Sequence, residues 1–254
     1  MGQFDTQFED KVVIVTGAAQ GIGQAYAQAL AREGASVVVA DINADVVQSV
    51  AKQIVADGGM PIHAPVDVSD PDSAKAMADQ TVAEFGGIDY PVNNAAIYGG
   101  MKLDLLLTVP LDYYTKFMSV NLDRALVCTR AVYKKMAKRG GGAIVNQSST
   151  AAWLYSNFYG LAKVGINGLT QQLSRELGGM NIRINAITPR PIDTEATKTV
   201  TPSEMVEDMV KQIPLSRIGT PEDLVGMCLF LLSDQASWVT GQIFDVDSGQ
   251  IIRS

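Results

Sequence analysis

Short apolar runs, rich in Val, Ile and Ala, recur along the chain at 12–16, 36–40, 61–66, 88–92, 143–147, 182–187 and 243–246. Most are continuous rather than alternating, which is the signature of strands buried on both faces. Between them lie longer stretches with helical patterning at 72–86, 112–138, 157–178 and 221–232, and an alanine-rich stretch runs from Gln24 to Arg32. Strand and helix in turn predict an α/β fold, a doubly wound seven-stranded parallel sheet with helices on both faces. No linker, repeat or low-complexity tract divides residues 1–254, so a single domain is expected. Ligands of such sheets bind beyond the carboxyl ends of the strands. Gly17, Asp41, Asp67, Asn94, Ser149 and Pro189 all follow predicted strand ends and are expected to share one crevice.

The first strand leads into Thr16-Gly17-Ala18-Ala19-Gln20-Gly21-Ile22-Gly23, directly before the alanine-rich helix. Gly17 permits a tight turn, while Gly21 and Gly23 allow close approach of a ligand and of the helix to the sheet. Uncapped N–H groups at that helix start suit a pyrophosphate. The next strand ends in Asp41, placed where an acid grips the ribose hydroxyls of a dinucleotide. A glycine turn and a surface aspartate would explain each feature singly; strand, turn, helix, strand and acid in this order favour the dinucleotide. Neither Ile42 and Asn43 nor the turn supplies a cation for a 2′-phosphate, so NAD is expected over NADP.

Tyr159 and Lys163 stand one helical turn apart, which puts phenol and ammonium on one face. A phenol titrates near pH ~10, and bringing it to neutrality takes about 4 kcal/mol. An ammonium at about 5 Å, at an effective dielectric of ~20, supplies on the order of 3 kcal/mol. A second cation, such as an oxidised nicotinamide ring, supplies the rest. The pair suits proton transfer at an alcohol or ketone, although Tyr-x-x-x-Lys alone is common on helix surfaces.

Taken in order, Thr16-Gly17-x-x-x-Gly21-x-Gly23, Asp67-Val68, Asn93-Asn94-Ala95, Asn121, Ser149, Tyr159-x-x-x-Lys163 and Pro189 to Thr194 resemble the short-chain dehydrogenase/reductase family. The resemblance runs from about residue 8 to the C-terminus and implies a single-domain Rossmann fold. It implies a catalytic set of Asn121, Ser149, Tyr159 and Lys163, with Ser149 holding the substrate oxygen and Asn121 holding a relay water. Of the adjacent serines, the family's position selects Ser149 over Ser148. Cofactor contacts are implied at Gly17, Gln20, Gly21, Ile22 and Gly23 in the glycine turn, and at Asp41 and Ile42 for the adenosine ribose. Asp67 and Val68 would hold the adenine, and Asn94 and Ala95 the ribose side. Tyr159, Lys163, Pro189, Ile192 and Thr194 would complete the nicotinamide end, with hydride delivered to its pro-S face.

The chain departs from the family pattern at four places. Ser149 precedes Tyr159 by less than usual, Ala96 and Arg190 replace glycines, and Ser248 stands in the Asp-Gly-Gly motif near the C-terminus. Arg190 falls where the nicotinamide carboxamide is expected, so it either hinders the cofactor, contacts a substrate acid, or points to solvent. Asp70 is expected to cap the helix at 72–86.

The formal net charge of −7 argues against nucleic acid as a partner. Cys128 and Cys228 are the only cysteines, which suggests neither a disulfide framework nor a metal site. The lone His63, in a strand near the sheet edge, reads as structural. The polar N-terminus carries no signal peptide and no run approaches membrane-spanning length, so a cytoplasmic location is expected. The substrate wall is expected from Tyr98 to Met101, from Trp153, Leu154 and Tyr155, and from 192–209, with Arg190 beside it. An apolar, cyclic or aromatic alcohol is the substrate class this suggests, and 190–213 reads as a lid. Two alternatives stand beside that dehydrogenase: a 3-oxoacyl-[acyl-carrier-protein] reductase, and a dinucleotide-binding regulator without activity. The helices at 112–138 and 157–178 carry apolar surface that family members pair across a four-helix seam, so a homodimer or homotetramer is expected.

Overall fold

The computed structural model describes residues 7–154 and 156–252. Seven strands form one parallel sheet: β1 (Val12–Thr16), β2 (Ser36–Asp41), β3 (Met60–Pro65), β4 (Tyr90–Asn93), β5 (Gly142–Gln147), β6 (Ile182–Pro189) and β7 (Ile243–Val246). Their spatial order is β3-β2-β1-β4-β5-β6-β7. Because β1 pairs with both β2 and β4, the chain reverses direction across the sheet there, and a crevice opens beyond their carboxyl ends.

Successive strand residues face opposite layers, which is why continuous apolar runs were needed. Val13, Val15, Val37 and Val39 pack with Tyr26 and Leu30 of α1 (Gly21–Arg32), Val47 of α2 (Ala44–Ala56) and Leu224 of α9 (Glu222–Leu232). Ile14 and Val38 point the other way, onto Met77 of α3 (Pro71–Phe85), Val132 and Met136 of α5 (Arg124–Arg139), and Leu173 of α6 (Asn157–Leu177). Full burial of each such side chain contributes roughly 1.5–3 kcal/mol.

The pattern of strands matches the expectation within a few residues. β3 is the edge strand, where Pro61 and Pro65 leave no ladder bond to a further neighbour unmade, and His63 is exposed. Asp70 caps α3 by accepting from the Asp72 N–H at 3.0 Å.

The run at 112–138 is not one continuous α-helix. It is split into α4 (Leu111–Met118) and α5 by a π-helical turn at Ser119–Asp123. The Asn121 amide donates to the Phe117 carbonyl at 3.1 Å and competes with the regular ladder there. A small aromatic core seats the N-terminus of α6 against α4, with the Phe117 and Phe158 rings 4.7 Å apart and edge-on. The segment after β6 folds into α7 (Glu195–Val200) and α8 (Ser203–Lys211), neither visible in the apolar pattern. No helix among the described residues is long and apolar enough to cross a membrane.

Candidate active site at the carboxyl ends of the strands

A cleft of about 1210 Å³ lies over the ends of β1, β2, β4, β5 and β6. Its floor is the glycine turn. Gly17 has φ +66, and a Cβ there would sit 2.6 Å from the Ala95 Cα; a Cβ on Gly23 would sit 2.2 Å from the Gly17 carbonyl oxygen. Only glycine lets these three segments touch. Gln20 precedes α1 without capping it by its side chain, and the first turn holds no acid, so the helix start is left for an anion.

The acids beside the turn are held in place by backbone. Asp41 accepts from the Ala19 N–H at 3.3 Å and the Asn43 N–H at 3.1 Å. Asp67 accepts from the Ser69 N–H and hydroxyl at 2.9 and 2.6 Å, which holds its carboxyl below the usual carboxylate range. The Asn94 amide donates to the Thr16 and Gly17 carbonyls, both at 3.1 Å, and so ties β4 to the turn. Gln20, Ile22, Ile42, Val68 and Ala95 also line this end of the cleft. Uncapped N–H groups, an acid at the end of β2 and a glycine floor together fit a dinucleotide.

At the other end stand Ser149, Tyr159 and Lys163. Ser149 follows β5 in extended conformation, accepts from the Ala151 N–H at 3.2 Å, and lines the cleft with Tyr159, whose phenolate form it favours. Ser148 is turned toward α6 instead, donating to Asn167 Oδ1 at 2.7 Å. This separates the two serines by contact as well as by position. Lys163 donates to the Gln147 carbonyl at 3.1 Å and lies 5.4 Å from the centre of the Tyr159 ring.

The electrostatics differ from the expected simple depression of the phenol by its ammonium neighbour. Burial pushes Tyr159 well above its ordinary value, and the Tyr98 phenol adds to this; the Ser149 hydrogen bond and Arg124 pull it back only partly. Burial, with repulsion from Arg124, also lowers Lys163 well below the usual ammonium range. Burial thus favours the protonated phenol at Tyr159 and the neutral amine at Lys163.

Arg124 was not singled out from the sequence, where Asn121-Leu122-Asp123-Arg124 reads as an ordinary polar patch. It is 1 % exposed, donates to the Asn93 carbonyl at 3.1 Å, and leaves Nε and Nη2 buried without partners among the described residues. Asn121 is wholly buried behind the cleft wall, to which its neighbour Val120 contributes, and its Oδ1 has no partner.

Pro189, Ile192, Thr194 and Arg190 line the cleft opposite the glycine turn, with Thr194 capping α7 through the Thr197 N–H at 3.2 Å. Tyr98 and Leu154 face the cleft, whereas Trp153 sits half-buried in the turn before it; Tyr155 lies outside the described residues. Met101, Met205 and Met209 extend the apolar wall. Among the described residues no group of His, Cys, Asp and Glu is placed to hold a metal ion.

A family profile described as Enoyl-(Acyl carrier protein) reductase matches residues 17–250. An uncharacterised oxidoreductase of Mycobacterium tuberculosis is 84% identical over 247 residues, covering 97% of this chain and 100% of that protein. The 3-oxoacyl-[acyl-carrier-protein] reductase of Thermotoga maritima is 36% identical over 250 residues, covering 97% and 100%. Among solved structures, a 7α-hydroxysteroid dehydrogenase complexed with NADH and 7-oxo glycochenodeoxycholic acid superposes with TM-score 0.91 at 33% identity, covering 100% of this chain and 99% of that one. The chain is an oxidoreductase and belongs to the short-chain dehydrogenase/reductase family.

Proposed function

We propose that the protein interconverts an apolar, cyclic secondary alcohol and its ketone, with NAD as the hydride carrier. The observation that carries this reading is the Ser149–Tyr159 hydroxyl pair beside Lys163, at the opposite end of the same cleft from Asp41 and the glycine turn. Bound nicotinamide supplies hydride acceptance or donation. The chain supplies position and a proton.

Ser149 and Tyr159 hold the substrate oxygen between them, and the protonated Tyr159 gives its proton to the oxygen of a ketone. Alcohol oxidation runs the other way, with the phenolate steadied by the Ser149 hydrogen bond, Arg124 and a charged Lys163. Lys163 also reaches the nicotinamide ribose, and Asn121 holds a water behind it. Gly17, Gln20, Gly21, Ile22 and Gly23 receive the pyrophosphate. Ile42, Asp67, Val68, Asn94 and Ala95 enclose the adenosine, and Pro189, Ile192 and Thr194 the carboxamide end. The Asp41 carboxylate takes the ribose hydroxyls and repels a 2′-phosphate, which is the basis for NAD over NADP. Residues 190–213 act as a lid, and the exposed Leu161 and Val164 on α6 suit a helix-paired homodimer or homotetramer. Two buried thiols and a soluble small-molecule substrate suit the cytoplasm.

Tyr159→Phe is the decisive variant. Turnover of the best alcohol falls by about 10²–10⁴-fold, while NADH titrated by fluorescence binds as in the parent. NADPH binding more tightly than NADH in that titration overturns the cofactor assignment. The similarity to a 3-oxoacyl-[acyl-carrier-protein] reductase supports a second reading, reduction of a 3-oxoacyl thioester. Faster turnover of such a thioester with NADPH than of any cyclic ketone with NADH selects it.

A further inference from the structure

Arg190 follows Pro189 at the end of β6 and lines the cleft half-buried. Its Nε is wholly buried and has no hydrogen-bond partner among the described residues. Asp247 lies within electrostatic reach, yet its carboxylate is already engaged. One oxygen accepts from the Gly249 N–H at 2.9 Å and the other from the Ile251 N–H at 2.7 Å. A guanidinium partly withdrawn from water and without a paired carboxylate is costly until an anion completes it.

The position of Arg190 says which anion. The Pro189 carbonyl, just before Arg190, accepts from the hydroxyl of Thr150 beside Ser149 at 3.2 Å, and the Tyr98 ring in the same cleft lies 5.4 Å from that of Tyr159. The guanidinium therefore belongs to the catalytic end of the cleft. The pyrophosphate end is formed by the glycine turn and the uncapped start of α1. Around the catalytic end the wall is apolar, from Met101, Leu154, Met205 and Met209.

We propose that Arg190 pairs with a carboxylate on the substrate, so that the natural substrate is an amphipathic secondary alcohol or ketone with an acid remote from the reacting carbon. This rests on the dehydrogenase reading above and deepens it. The charge-assisted pair, bidentate where geometry allows, sets orientation as well as affinity.

The test uses the full chain saturated with NADH and titrated by calorimetry with 4-oxocyclohexanecarboxylate and with its methyl ester. The parent is expected to bind the acid about tenfold tighter than the ester. Arg190→Gln brings that ratio close to one, and Arg190→Lys retains part of it. The same ratio in parent and Arg190→Gln, or no detectable binding of either ketone at millimolar concentration, overturns the proposal. Loss of NADH affinity in Arg190→Gln with the acid-to-ester ratio intact also overturns it, assigning the cation to the cofactor pyrophosphate. A ratio that collapses as expected, in a parent that turns over neither ketone, upholds the Arg190 pairing and counts against the dehydrogenase reading alone.

Discussion

The two ends of the cleft are built to different standards of completeness. At the glycine-turn end three polar side chains have fixed partners: Asn94 on the Thr16 and Gly17 carbonyls, Asp41 on the Ala19 and Asn43 N–H groups, Asp67 on Ser69. At the catalytic end, buried polar atoms of Asn121, Arg124 and Arg190 have none among the described residues, and both Tyr159 and Lys163 are pushed toward their neutral forms. Unsatisfied buried groups cost about 1–3 kcal/mol each. The difference teaches that one end is set by the fold, while the other carries polar groups whose partners have to come from water or ligand.

Rigidity at the first end is the easiest part of this contrast to break. In Gly23→Ala the new methyl meets the Gly17 carbonyl and the Asn94 amide at 2.2 and 2.5 Å. Such overpacking costs about 1–3 kcal/mol, read by urea denaturation, and abolishes saturable NADH fluorescence. Unchanged stability would mean that the contact between the turn and β4 yields more easily than its geometry allows.

The other end predicts the opposite sign. Lys163 in the folded protein is depressed below its unfolded value near ~10.4. Between those two values the unfolded chain binds more protons than the folded one, so stability rises with pH across that window. Lys163→Met removes the buried cation and is expected to lose activity, gain stability at neutral pH and flatten that rise. Denaturant midpoints measured from neutral to alkaline pH check it, and a variant less stable than the parent at neutral pH contradicts it.

The smallest effect lies outside the cleft. Ser248 adopts φ +62 where the family pattern has glycine, a conformation costing an L-residue roughly 1–2 kcal/mol. Its hydroxyl recovers part of this by accepting from the exposed Leu215 N–H at 3.1 Å. Ser248→Gly is expected to raise stability by about 0.5–1 kcal/mol, seen as a higher denaturant midpoint with NADH binding unaltered.

Much of the sheet was legible because both layers of the core demand apolar side chains along residues 12–15 of β1 and 37–40 of β2, in runs too short for a helix. The glycine turn was equally plain, since Gly17 and Gly23 mark contacts that no Cβ survives and Gly21 a positive φ. Helices α2, α7 and α8 were missed: α2 although its buried Val47, Val50, Ala51 and Ile54 recur at helical spacing, α8 because none of its residues is buried. The break between α4 and α5 was missed because it arises from one asparagine bonding back to Phe117, which leaves the helical pattern intact.

What the sequence determined by itself was the alternation of strand and helix, the order of the motifs and their family, because periodicity and glycine placement are local properties. Only the tertiary structure decided the charge states. Burial of Tyr159 and Lys163 and the approach of Arg124 are set by elements far apart in the chain. Desolvation depends on everything that surrounds a group, and a linear spacing of four residues carries none of that information.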